Sequence, residues 1–211
     1  MSQPDLTYEN TFAGNISGTD NIAGVDEAGR GPWAGPVVAA AVILPSGGIP
    51  NGLNDSKKLS KKKRAELFTL INETCHVGIG IAEVEEIDQI NILQASLLAM
   101  RRAVDDLNLK PDACLVDGNK DPEIGIPTKC IIKGDAKSLS IAAASIIAKV
   151  SRDKIMAELS HKYPDYDWQQ NAGYGVPKHI EALRLVGISP HHRKSFAPIR
   201  KLLDEENPTS R

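Results

Sequence analysis

The residues of this chain best suited to chemistry are two adjacent carboxylates, Asp26 and Glu27, followed at once by Gly29, Gly31 and Gly35 around a single Arg30. Glycines bracketing an arginine expose backbone N–H groups for close approach to a ligand. Asp117 and Asp135 stand in a similar setting, each after a short apolar run and each beside a glycine. An acid at one strand end is commonplace and by itself structural, so the combination carries the weight. Four carboxylates drawn together would repel and raise one another's pKa values. Hard divalent cations remove that conflict, and an oxygen-only donor set favours Mg²⁺ or Mn²⁺ over Zn²⁺. Two such ions ~4 Å apart form a clamp for in-line attack on a phosphodiester.

The elements must bring these acids to one place. Ile22 to Leu44 reads as strand, functional loop, strand, with apolar runs on both sides of the glycines. Side chains alternate along a strand, so Asp26 and Glu27 can approach one site only where the strand ends. The first two strands are joined too briefly for a crossover and should be antiparallel. Ala113 to Asp117, and Lys129 to Asp135, read as further strands ending in acids. Ser60 is a candidate N-cap for a helix reaching about Glu73. Lysines at its start, within Lys57 to Lys63, oppose the helix dipole, so the cluster reads either as a polyanion contact or as a solvated helix start. Glu83 to Leu107 has helical periodicity with a break near Asn91, and Ser138 to about Lys162 is the longest helix expected. Small residues from Ala142 to Ser145 suit close packing of that helix on a sheet, and Ser145, Lys149 and Asp153 share one stripe of it. Packing is the competing reading for Ser145, and a salt bridge with Lys149 the competing reading for Asp153. Pro177 to Val186 is a helix with proline at its start.

The fold class expected is α/β: a mixed sheet flanked by helices, with a C-terminal helical extension. Residues 1–20 read as a loosely ordered leader, 21–200 as one catalytic domain and 201–211 as an acidic tail. The chain has 211 residues, 41% hydrophobic and 25% charged, enough for one substantial core. A formal charge of −2 excludes a globally basic nucleic-acid binder, so any polyanion site must come from local clustering. Cys75, Cys114 and Cys130 are far apart and form no Cys-x-x-Cys pair, which fits free thiols in a reducing cytoplasm. No apolar run approaches the roughly 18 residues that span a membrane, and no signal peptide is evident.

The segment Gly24-Val-Asp26-Glu27-Ala-Gly29-Arg30-Gly31-Pro-Trp-Ala-Gly35-Pro closely resembles the signature of bacterial ribonuclease HII. The resemblance continues through Asn54 to Ser60, Leu115 to Gly118, Lys133 to Ser138 and Ala142 to Val150. It ends with Gly173-Tyr174-Gly175 and His192 to Pro198, so seven blocks occur in the family's order. It implies a ribonuclease H-like fold and an endonuclease that cuts RNA in RNA–DNA hybrids, and 5′ of single ribonucleotides in duplex DNA. It maps the metal-binding acids onto Asp26, Glu27, Asp117 and Asp135, the substrate loop onto Gly29, Arg30 and Gly31, and a substrate-sensing tyrosine onto Tyr174. It also implies a monomer. Trp33 stands where an aliphatic residue is usual, Ser151 where threonine is frequent and His191 where isoleucine is frequent.

Within this frame Lys57, Ser138 and Lys149 are candidate phosphate contacts, and Ser145 a further candidate for binding substrate. His192 and Arg193 are candidates to support a phosphate or the long helix. A ribonuclease HIII-like hybrid nuclease is a second reading, although about 20 leader residues cannot form that group's extra domain. A non-catalytic hybrid-binding module is a third, and would be expected to lack one or more of the acids. A nucleotide-binding loop is disfavoured because Gly29-Arg30-Gly31 lacks a downstream Gly-Lys-Ser/Thr.

Overall fold

The computed structural model describes residues 3–15 and 19–206. Strands β1 (Ile22–Ala28), β2 (Val37–Ile43), β3 (His76–Ala82), β4 (Ala113–Asp117) and β5 (Thr128–Ile131) form one sheet in the order β3-β2-β1-β4-β5. β1, β2 and β3 are an antiparallel run, as the short link between β1 and β2 requires for that pair, while β4 and β5 lie parallel to β1. Every residue of β2 is buried because helices cover both faces, which explains its unbroken apolar run.

Alternation sorts the sheet's side chains between two layers. Ala23, Val25, Val37, Ala39 and Ala41 pack with the helix α3 (Val84–Asp105). Ala40 and Val42 pack with α2 (Lys61–Thr74) and α4 (Leu139–Lys162). The helices approach closely because residues facing them are small. A Cβ on Gly24 would lie 2.1 Å from the Ser140 carbonyl carbon, and one on Gly80 would lie 2.0 Å from the Ala99 oxygen.

The helix signals hold in detail. Ser60 caps α2 by accepting from the Lys63 N–H at 3.2 Å. Asn91 interrupts α3 with φ 66° and ψ 164°, and its side chain accepts from the Leu93 and Gln94 N–H groups, restarting the helix. A C-terminal layer of α5 (Trp168–Asn171), α6 (Pro177–Val186) and α7 (Ala197–Glu206) packs on its own core of Met156, Tyr166, Trp168, Leu183 and Ile199. Cys75, Cys114 and Cys130 are free thiols.

Three expectations are corrected. The segment read as a loosely ordered leader contains a helix, α1 (Thr7–Asn15), whose Tyr8 and Phe12 pack on Ile22, Leu115 and Ile141. The buried Glu9 carboxylate accepts from Ser138 Oγ at 2.6 Å, Ser140 N at 2.9 Å and Ser140 Oγ at 2.7 Å. That anchor is invisible in the sequence because α1 is weakly amphipathic and its partners lie about 130 positions away. Residues 201–206, assigned to a tail, continue α7, while 207–211 lie outside the described residues. Asp135 does not end a strand: β5 stops at Ile131, and Asp135 sits in a 3₁₀ turn over Gly134–Ala136.

Replacing Glu9 with alanine leaves the start of α4 without its acceptor. We expect Glu9→Ala to lower the unfolding free energy by ~1–3 kcal/mol, the range for an abandoned buried polar group. A urea midpoint that does not move would show that α1 is not docked.

Candidate active site

β1 and β4 end side by side, with Val25 paired to Val116, and so deliver Asp26, Glu27 and Asp117 to one edge. Asp26 points into a cleft of about 340 Å³ that also exposes Gly31, Lys57 and Tyr174. Glu27 borders that cleft and also a smaller pocket beside Leu93 and Leu97 of α3. Asp117 Oδ1 accepts from the Gly134 N–H at 2.6 Å, which ties the end of β4 to the turn carrying Asp135.

The electrostatics confirm that these acids feel one another. Burial, then the charges of Glu27 and Asp117, push the Asp26 pKa well above the usual carboxylate range. Burial and Asp117 also raise that of Glu27, against the Arg30 guanidinium, whose Nη1 lies 3.4 Å from Glu27 Oε1. Asp135 is raised by burial, Asp55 and Asp117, with Lys57 opposing. Asp55 is therefore a further carboxylate of the site that sequence reasoning missed. It caps the turn at Ser56–Lys58 through the Lys57 N–H, and its place in a lysine-rich block concealed it.

Among the described residues, no three His, Cys, Asp or Glu side chains are already arranged to hold a metal ion. The donor chemistry nevertheless fits a hard cation: the acids are oxygen donors, and their mutual repulsion is what such an ion would relieve.

The glycine loop is held from beneath by two buried arginines. Arg152 of α4 donates from Nε to Pro36 O at 2.9 Å, and from its other nitrogens to Ala34 O and Ala172 O at 3.0 Å. Arg193 donates to the carbonyls of Gly29, Arg30, Gly35 and Pro36 at 2.6–3.2 Å. Burial lowers the Arg152 pKa to about 10 and, with Arg152 nearby, that of Arg193 to about 9, so both stay charged at neutral pH. Arg193 thus supports the glycine loop rather than a phosphate.

Gly173 and Gly175 let the tyrosine loop lie flat on its neighbour. Gly173 has φ +84°, and a Cβ there would meet Ala34 O at 2.5 Å; one on Gly175 would strike the Trp33 ring at 2.2 Å. The Tyr174 ring then lies over Gly31, 3.3 Å from where a Cβ would be. Lys57 is exposed at the cleft, and Lys149 lines it while pairing with Asp153 at 2.7 Å. Ser145 also lines the cleft, although it is buried, donates to Ala142 O and accepts from the Ser56 N–H at 3.3 Å. Ser138 is not brought to the site: it is fully buried, caps α4 and donates to Glu9, so its candidacy as a phosphate contact is corrected.

A family model described as Ribonuclease HII matches residues 23–199. The chain belongs to the ribonuclease HII family. It is 55% identical over 203 residues to "Ribonuclease HII" of Magnetococcus marinus, covering 95% of each chain. It superposes on the ribonuclease H2 of Pyrococcus horikoshii with TM-score 0.76 and 29% identity, over 88% of this chain and 98% of that one. The Archaeoglobus fulgidus RNase HII, solved in complex with PCNA, gives TM-score 0.70 at 29% identity, over 82% and 94%. Membership in the ribonuclease HII family makes this chain a ribonuclease H endonuclease, dependent on divalent metal and acting on RNA–DNA hybrids. No helix among the described residues is long and apolar enough to cross a membrane.

Two predictions follow from the geometry. Asp117→Asn keeps an acceptor for Gly134 but removes one of the charges repelling Asp26 and Glu27. The folded-state pKa values of those two are raised, so their repulsion costs stability above those pKa values and eases as pH falls through them. In EDTA at neutral pH, Asp117→Asn should therefore melt ~2–4 °C higher, the shift that about 1 kcal/mol produces in a domain of this size, and in Mg²⁺ it should lose most cleavage. An unchanged or lower melting temperature would contradict the repulsion. Arg193→Met should raise hydrogen exchange across Gly29 to Gly35 while α3 stays protected; uniform exchange would mean that the arginine does not hold this loop.

Proposed function

We propose that this chain nicks duplex DNA on the 5′ side of a single embedded ribonucleotide, as well as cutting longer RNA–DNA hybrids, leaving 5′-phosphate and 3′-hydroxyl ends. The observation that carries this reading is the Tyr174 ring lying over Gly31 in the cleft entered by Asp26 and Glu27. The 2′-OH is the local group that separates RNA from DNA, and backbone groups of Gly29 and Gly31 can approach it closely. The Tyr174 ring would stack on the next sugar, accept a deoxyribose and resist a further 2′-OH. Arg30 would approach the substrate with its loop, and Lys57 and Lys149 would meet phosphates.

Asp26, Glu27, Asp117 and Asp135 would hold two divalent cations, Mg²⁺ or Mn²⁺. When bound, the ions would neutralise the carboxylates and stabilise charge at the scissile phosphate. The protein's own part is to place the acids on a rigid sheet edge and to present the substrate loop beside them. We read the enzyme as a monomer acting in the cytoplasm, on ribonucleotide-containing duplex DNA and RNA–DNA hybrid.

The test is a gel assay on duplex DNA with one embedded ribonucleotide, in Mg²⁺, Mn²⁺ or EDTA. The expected result is a nick on its 5′ side that EDTA abolishes. Cleavage confined to long hybrids would overturn the single-ribonucleotide reading in favour of a ribonuclease HIII-like preference. Binding without cleavage of either substrate would overturn the catalytic one. Tyr174→Ala should harm cleavage at the isolated ribonucleotide far more than binding, and an equal loss of both would make Tyr174 a docking contact.

A further inference from the structure

Beneath Tyr174 a chain of hydrogen bonds runs through two buried histidines that the catalytic reading does not use. The Ser189 N–H donates to His192 Nδ1 at 2.9 Å. His192 Nε2 lies 2.9 Å from His179 Nε2. The Trp168 indole N–H also reaches His179 Nε2, at 3.2 Å. His179 Nδ1 lies 2.9 Å from the Tyr174 carbonyl oxygen.

The donors at the edges decide every proton in between. A backbone N–H and an indole N–H can only donate. His192 Nδ1 must therefore accept, which puts that ring's proton on Nε2 and directs it at His179. His179 Nε2 accepts from both His192 and Trp168, which puts its proton on Nδ1, facing Tyr174. Both rings are 0% exposed, and burial lowers both pKa values, that of His192 to about 3. They are neutral at pH 7, as this pattern requires.

The Tyr174 ring is 49% exposed, so packing from above does not fix it. Its backbone is fixed instead. Its N–H donates to Asn171 O at 2.9 Å, and its carbonyl accepts from the Val176 N–H at 2.8 Å and from His179. The loop is also held through Gly173 O, which accepts from the Trp33 N–H at 2.8 Å, and through Asn171, whose amide donates to Tyr166 O at 2.7 Å, but the contact from His179 is the side-chain bond made to Tyr174 itself.

We propose that His192 and His179 form a positioning relay that sets the backbone of Tyr174, and thereby the enzyme's preference for a ribonucleotide followed by deoxyribose. The relay rests on the role given to Tyr174 above. Neither histidine touches substrate; both act through the tyrosine. Loss of such a relay slows cutting at the junction and does not slow the cutting of uniform hybrid, where the ring meets a further 2′-OH and gives no favourable stacking to lose.

The test compares cleavage of an embedded ribonucleotide with cleavage of a uniform hybrid. His179→Leu removes the donor to Tyr174 and should slow the former by roughly 10- to 100-fold, the scale of an ångström-sized misplacement, with little change in the latter. His179→Asn, whose amide can still donate to the Tyr174 carbonyl, should recover most of the loss. His179→Leu added to Tyr174→Ala should cost nothing more on the embedded ribonucleotide. Equal losses on both substrates, or additive losses in the double variant, would overturn the relay. Ring ¹⁵N spectra of the unmodified protein at pH 7 provide a readout that needs no variant to fold. They should show neutral His192 protonated on Nε2 and neutral His179 protonated on Nδ1, and a charged ring or the opposite tautomers would overturn the proposal. If the unmodified protein fails to nick the embedded ribonucleotide, the reading of Tyr174 falls and takes the specificity half of the relay with it. The ring spectra judge the hydrogen-bonded half separately.

Discussion

The architecture depends on two buried guanidinium groups, those of Arg152 and Arg193, whose hydrogen bonds among the described residues go to main-chain oxygens rather than to carboxylates. Taking a charge out of water is costly unless its hydrogen-bonding capacity is met. Arg152 and Arg193 meet theirs with main-chain oxygens of the segment from Gly29 to Pro36, and with Ala172. A carbonyl engaged in a sheet ladder is not free to do this, so the segment between β1 and β2 has to be irregular. The planar fork of arginine reaches several oxygens at once, which a lysine could not reproduce. The long helix, the substrate loop and the C-terminal layer therefore hold their positions through one another.

The acids follow a different logic. Alternation along β1 sends consecutive side chains to opposite sides of the sheet. Asp26 enters the cleft beneath Tyr174 while Glu27 also borders the α3 side, so the carboxylates ring the sheet edge rather than sit in one layer. Their burial and mutual repulsion are a standing cost in stability. The site is thus a strained electrostatic arrangement mounted on an unstrained scaffold of small residues and close helix–sheet packing.

What could be read in advance was what local chemistry dictates. The Ser60 cap, the break at Asn91, the antiparallel opening strands and the acids at the ends of β1 and β4 all follow from neighbours in sequence. The misses share a cause: each depends on a partner far away in the chain. The docking of the first residues could not be read locally because the acceptor role of Glu9 is defined by Ser138 and Ser140. Ser138 looked like a phosphate contact for the same reason. Asp55 gave no sign of facing Asp135, since nothing about a turn in a basic segment says which carboxylate it will meet. Arg193 was a candidate support, but which loop it grips is decided by tertiary packing alone.

The separation between Arg193 and Gly29, 164 positions along the chain, bears on how the molecule comes into being. Synthesis runs from the N-terminus, and domains consolidate only when their distant contacts become available. β1 can pair with β2 early, but it waits for β4 to complete its other edge. The loop beside the acids waits longer still, until a residue near the end of the chain has left the ribosome. A nascent chain, or one truncated before Arg193, carries all four acids yet lacks the grip that shapes the glycine loop beside them. The shape of that loop is therefore acquired only once Arg193 has been synthesised, well after the acids themselves are in place.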